Sequence, residues 1–109
     1  DMFIQLINDT MDKFALDALA LPYRTYPPER VDGPRPEEST NNLTSHTGVP
    51  SVIVPGGYTK DNLPIGIQFF GKHNTDLAIL KIAYGYEQAT KRRKAPEITP
   101  PLPGERFDY

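Results

Sequence analysis

Ser51-Val52-Ile53-Val54 and Ile65-Gly66-Ile67-Gln68-Phe69-Phe70 decide how this chain folds. The first run is β-branched and apolar at consecutive positions, the pattern of a strand covered on both faces, and it reads as a buried central strand. The second alternates, with Ile65, Ile67 and Phe69 on one face. Pro55-Gly56-Gly57 reads as a break and a turn after the first strand, and the polar stretch 58–64 as the connection, turning at Asp61-Asn62. About ten residues are too few for the crossover helix that parallel strands need, so the pair is expected to be an antiparallel hairpin.

Downstream, the strongest helical signal runs from Leu77 to Thr90, with Thr75 as cap and Asp76 in the first turn. Ile79, Ile82, Ala83 and Tyr86 form one stripe. Leu77, Leu80 and Tyr84 widen it, which predicts a helix packed hard on the sheet. Upstream, Phe3, Ile7, Met11 and Phe14 lie on one face of a helix over 3–15. Asp17 to Leu21 reads as a short strand ended by Pro22, with Leu19 and Leu21 on one side and Ala18 and Ala20 on the other. Residues 23–40, with Pro27-Pro28, Gly33-Pro34 and Pro36, read as loop, because proline fixes φ and lacks an N–H. Thr40 or Asn41 starts a helical turn that Gly48 closes near Thr47.

The class is therefore α+β: an antiparallel hairpin plus one further strand, covered by helices. Residues 1–95 form the folded region, and 96–109 a proline-rich tail extended along the surface.

Composition narrows the function. The 109 residues carry 12 basic and 14 acidic side chains, net charge -2, which is no footprint for nucleic acid. The basic run Lys91-Arg92-Arg93-Lys94 follows the long helix, where cations suit the negative end of the dipole. There is no cysteine, hence no disulfide and no thiolate metal site. No apolar run approaches the ~18 residues of a membrane span. The opening Asp1-Met2-Phe3-Ile4 lacks the pattern of a signal peptide, which favours the cytoplasm over secretion, and lacks an initiator Met, as in a chain cut from something longer or one processed or tagged.

Chemistry-bearing residues are few. The serines are Ser39, Ser45 and Ser51, and the histidines His46 and His73. Ser45 and His46 are neighbours in sequence, which does not orient one side chain toward the other, and no Gly-x-Ser-x-Gly elbow surrounds any serine. His73, between Lys72 and Asn74, reads as an exposed turn residue. Two distant histidines do not make a metal site, and Gly56-Gly57 lacks the company of a phosphate loop. Tyr84 and Tyr86 read as packing residues. No catalytic, cofactor-binding or metal-binding residue is assigned, and no cofactor is expected.

Three runs nevertheless resemble the amidase-signature family in order and spacing. Thr47-Gly48-Val49-Pro50-Ser51-Val52-Ile53-Val54-Pro55-Gly56-Gly57-Tyr58 is similar to that family's Gly-x-Pro-(Ala/Ser)-(apolar)-x-Val-Pro-x-Gly segment. Asn62-Leu63-Pro64-Ile65-Gly66-Ile67-Gln68-Phe69-Phe70-Gly71 looks like its Leu-Pro-(apolar)-Gly-(apolar)-Gln-(apolar)-(apolar)-Gly. Leu77 to Thr90 resembles its closing helix, and Asp17 to Pro22 the strand before them, so the likeness spans about residues 15–102.

The resemblance implies the C-terminal portion of an amidase, within a large mixed-sheet α/β/α fold. It also implies amide hydrolysis or transfer by a serine, a second serine in a cis peptide, and a lysine, all upstream of the matched segment. No Gly-Gly-Ser-Ser-Gly-like stretch occurs here, so none of that machinery transfers to Lys60 or to the serines. The tail Arg92 to Leu102 looks more like free-standing amidases than the subunit that transamidates glutamyl-tRNA. The implied partners are the remainder of the parent chain and its small-molecule amide substrate, and the doubly apolar Val52–Val54 suggests self-association. The alternative is a non-enzymatic module that binds a partner through its open sheet or its proline-rich tail.

Overall fold

The computed structural model describes residues 2–26, 29–34 and 42–106. Its elements in chain order are α1 (Met2–Lys13), β1 (Leu19–Pro22), α2 (Asn42–Thr47), β2 (Ser51–Tyr58), β3 (Pro64–Phe70) and α3 (Asp76–Thr90). The three strands form one antiparallel sheet in the order β1-β3-β2. This is the expected α+β hairpin with one further strand, covered by helices.

The centre of the sheet is β3, not β2. Val52 and Val54 lie opposite Phe69 and Ile67 on the face that α3 covers, while Ile53 lies opposite Gln68 on the other face and stays exposed. A run apolar on both faces fits an edge strand whose second face is partly open as well as it fits a central one. Pro55-Gly56-Gly57 does not break β2 either. The strand continues to Tyr58 through a bulge: Pro55 pairs with Gly66 and Gly57 with Ile65, leaving Gly56 as the extra residue. An edge strand tolerates a residue without an N–H, and Gly57 takes φ 147°, where a side chain would be strained. The turn falls at Asp61-Asn62 as read, with Asn62 at φ 62° and the Thr59 N–H donating to the Leu63 carbonyl at 2.9 Å.

Each face of the sheet has its own core. On one, Val54 and Phe69 pack with Ile79 and Ala83, flanked by Ile67, Ile82 and Tyr86, and the Phe69 and Tyr86 rings meet edge-on at 5.5 Å. On the other, Phe70 packs with Ile7, Met11 and Val49, flanked by Leu19, Leu21 and Leu43. There the buried Gln68 donates from Nε2 to Thr44 Oγ1 at 3.4 Å.

The inner stripe of α3 is as read, but Leu77, Leu80 and Tyr84 do not widen it. They lie on the opposite side of the helix and are exposed. Periodicity shows where a side chain points on the helix, not what covers it. Phe3 and Phe14 also escape the α1 stripe and are exposed, while Ile7 and Met11 alone are buried. That helix stops at Lys13, earlier than read. Ala15 at φ 49° and the Leu16 N–H donating to the Met11 carbonyl at 2.8 Å form a left-handed C-terminal closure. Thr75 precedes α3 without capping it: its hydroxyl donates to the Lys72 carbonyl at 2.7 Å.

After α3, the chain is held against the hairpin tip. The Lys94 N–H donates to Tyr58 Oη at 3.2 Å, its ammonium lies 4.3 Å from the Tyr58 ring centroid, and it also reaches Asn62 Oδ1. Tyr58→Phe keeps the ring and removes the acceptor, so a loss of about 1 kcal/mol is expected in urea unfolding. An unchanged midpoint would mean that the hydroxyl's hydrogen bond contributes nothing.

Candidate functional site

The reactive side chains of the sequence do not converge. Ser45 and His46 are exposed on the six-residue α2. Ser51 is exposed at the start of β2, and Lys60 is exposed in the hairpin turn. His73 is exposed before α3, with its imidazole lying over Gly48, 3.7 Å from where a Cβ would stand. Ser39 lies outside the described residues. Among the described residues no group of three His, Asp or Glu could hold a metal ion, and no helix is long and apolar enough to cross a membrane.

What the fold does build is a cleft of about 340 Å³ beside the hairpin tip. One wall is the segment after β1, with Tyr23, Arg24 and Tyr26. The other is Thr59 with Ile65 and Gly66. Each wall is anchored at one residue by hydrogen bonds. The Tyr23 N–H donates to the Gly66 carbonyl at 2.9 Å, extending the β1–β3 ladder beyond Pro22. Thr59 is held by the Leu63 carbonyl, and its Oγ1 accepts from the Leu63 N–H at 3.1 Å.

Gly66 must be bare. A Cβ there would stand 2.8 Å from Ile53 Cγ2 and 3.3 Å from Tyr23 Cβ, so even alanine would force Ile53 to shift and crowd Tyr23. Sequence reasoning missed this cleft. Its walls are about forty residues apart in the chain, and the one local hint was Gly66 inside a strand, which marks a close approach.

No family model matches the chain. It is 38% identical over 65 residues to the glutamyl-tRNA(Gln) amidotransferase A subunit of Bacillus thuringiensis (strain Al Hakam), covering 57% of this chain and 13% of that protein. The same figures hold for the corresponding protein of Bacillus mycoides (strain KBAB4). Among solved structures, the native peptide amidase from Stenotrophomonas maltophilia superposes with a TM-score of 0.68 at 32% identity, over 84% of this chain and 18% of that one. An amidase family protein from Bacillus anthracis str. Ames gives 0.67 at 29% identity, over 87% and 16%.

Fold and sequence together therefore show an α+β unit similar to part of the amidase proteins. More particularly, the chain is related to the amidase-signature proteins and corresponds to a small portion of them, spanning 13% of the amidotransferase relatives and 16–18% of the amidase structures.

Proposed function

We propose that the chain is the C-terminal scaffold portion of an amidase, a hydrolase of amide C–N bonds working through a serine acyl-enzyme, and that it supplies no catalytic group itself. The observation that carries this reading is the alignment at 32% identity and TM-score 0.68 with a peptide amidase over 84% of the chain. The relatives are amidotransferase A subunits by sequence, and a peptide amidase and an amidase family protein by structure. The substrate is therefore assigned no further than an amide.

In this reading the remainder of the parent chain covers the surface left apolar here, Leu77, Leu80 and Tyr84 on α3 together with Ile53. The helix is apolar on two opposite sides, which suits an element set between two layers. Residues 96–109 are proposed as a surface tail outside the folded region formed by residues 1–95. The same apolar face favours a second reading, a non-enzymatic module docking a partner there.

The two readings diverge on one experiment. The whole protein is assayed with simple amides, and the coding sequence upstream of Asp1 is read for a lysine and a Gly/Ser-rich stretch with two active serines. Turnover with that machinery present supports the amidase; its absence with no turnover supports the module. In the active whole protein, Ser45→Ala and His46→Ala should each leave kcat/KM within about tenfold, ~1.4 kcal/mol in barrier. A larger loss would place one of them in the chemistry.

A further inference from the structure

We propose that the cleft between Tyr23–Tyr26 and the hairpin tip binds a small planar apolar group that carries a carboxylate. The proposal goes beyond the amidase reading and does not depend on it. Three observations lead to it. The volume of about 340 Å³ falls at the small end of the ~300–1,000 Å³ typical of ligand sites, room for one ring and a short chain.

The surfaces it offers are the half-buried Tyr23 and Tyr26, the side of Ile65 and the bare Gly66, which suit a flat apolar body. The charge at its rim has one sign. Arg24 is the single ionic side chain lining the cleft among the described residues, and no carboxylate lines it there.

Arg24 is also oriented. Its guanidinium carbon lies 5.8 Å from the Tyr26 ring centroid, an arrangement that stacks the cation on the aromatic face. A guanidinium presents its donors as a planar fork that meets the two oxygens of a carboxylate. A stacked fork at the mouth of an aromatic-walled cleft selects a ligand with its ring inside and its negative charge at the rim. Hydrogen bonds anchor Tyr23 to β3 and Thr59 to the hairpin turn, which reduces the ordering left for the ligand to impose.

The test is a titration of the isotope-labelled 109-residue chain, followed by amide chemical shifts. The probes are 3-phenylpropionate, phenethylamine with the charge reversed, and propionate with the ring removed. Expected are saturable shifts for Tyr23–Tyr26, Thr59 and Ile65–Gly66 with 3-phenylpropionate, and binding at least about tenfold weaker for the other two. Arg24→Gln should remove the preference for the acid over the amine. Ile65→Glu, which sets a carboxylate in a wall already partly exposed, should weaken the acid comparably while leaving the far-ultraviolet circular dichroism unchanged. Absence of saturable shifts, shifts centred on the outer face of α3, equal binding of the amine, or full affinity in Arg24→Gln would each overturn the proposal.

Discussion

Purified by itself, the 109-residue chain is expected to hydrolyse simple aryl amides no faster than buffer. Amide cleavage needs a nucleophile held against a base, and donors aimed at the oxygen on which charge develops. Ser45 and His46 are exposed on a helix of six residues. Ser51 opens β2 on its exposed side, and His73 stands over Gly48. Enzymic acceleration of such reactions amounts to at least ~8 kcal/mol of barrier lowering, far beyond what one exposed hydroxyl could provide. Release of the chromophoric amine is the measurement. Turnover above the blank that disappears in Ser45→Ala would make this chain an enzyme in its own right.

The second large effect is on stability. Ile79→Asp is expected to unfold the chain. Ile79 is 1% exposed and joins Val54, Phe69 and Ala83 in the core between α3 and the sheet. Its Cδ1 also lies 2.7 Å from where a Cβ on Gly71 would stand, so the site has no slack toward the turn before α3. Removing the side chain to alanine would cost about 2–5 kcal/mol. An unpaired carboxylate adds a desolvation penalty on top, and the total competes with the ~5–15 kcal/mol that holds an ordinary domain together. Ile67→Asp, at a half-buried position flanking the same core, should be milder but still severe. Circular dichroism at 25 °C reads both, with Ile79→Val as the control expected to lose about 0.5–1.5 kcal/mol. A cooperative melt for Ile79→Asp near that of the unsubstituted chain would show that α3 does not pack as described.

Much of this architecture is legible in the residues. Period two at Ile65, Ile67 and Phe69, and the stripe Ile79, Ile82, Ala83 and Tyr86, report local geometry, and local geometry is what a side-chain pattern encodes. The short link through Asp61-Asn62 settles the antiparallel sense for the same reason. Position within the sheet is not legible. Nothing in Val52-Ile53-Val54 distinguishes an edge from a centre, and Pro55-Gly56-Gly57 reads alike as a break or as a bulge until the partner strand is known. Leu77, Leu80 and Tyr84 mislead because an apolar side chain on a helix need not be buried by its own chain. The cleft is invisible for a further reason: Tyr23 and Gly66 meet only through a long-range hydrogen bond.

The strand order also sets where this fold can absorb changes in length. The β1–β3 ladder, extended by the Tyr23–Gly66 hydrogen bond, closes a long stretch of chain that includes the connection from β1 to α2. Closure entropy grows only with the logarithm of loop length, and about ten extra residues inserted at the exposed Val31-Asp32 would cost ~0.2 kcal/mol. The hairpin link is the opposite case. There the Thr59–Leu63 hydrogen bonds and the positive φ of Asn62 set the register of β2 on β3, and a one-residue slip would turn Val52 and Val54 away from α3. Insertions are thus tolerable before α2 and disruptive after β2, so a lineage could vary this unit through the first connection while the second stays constant in length.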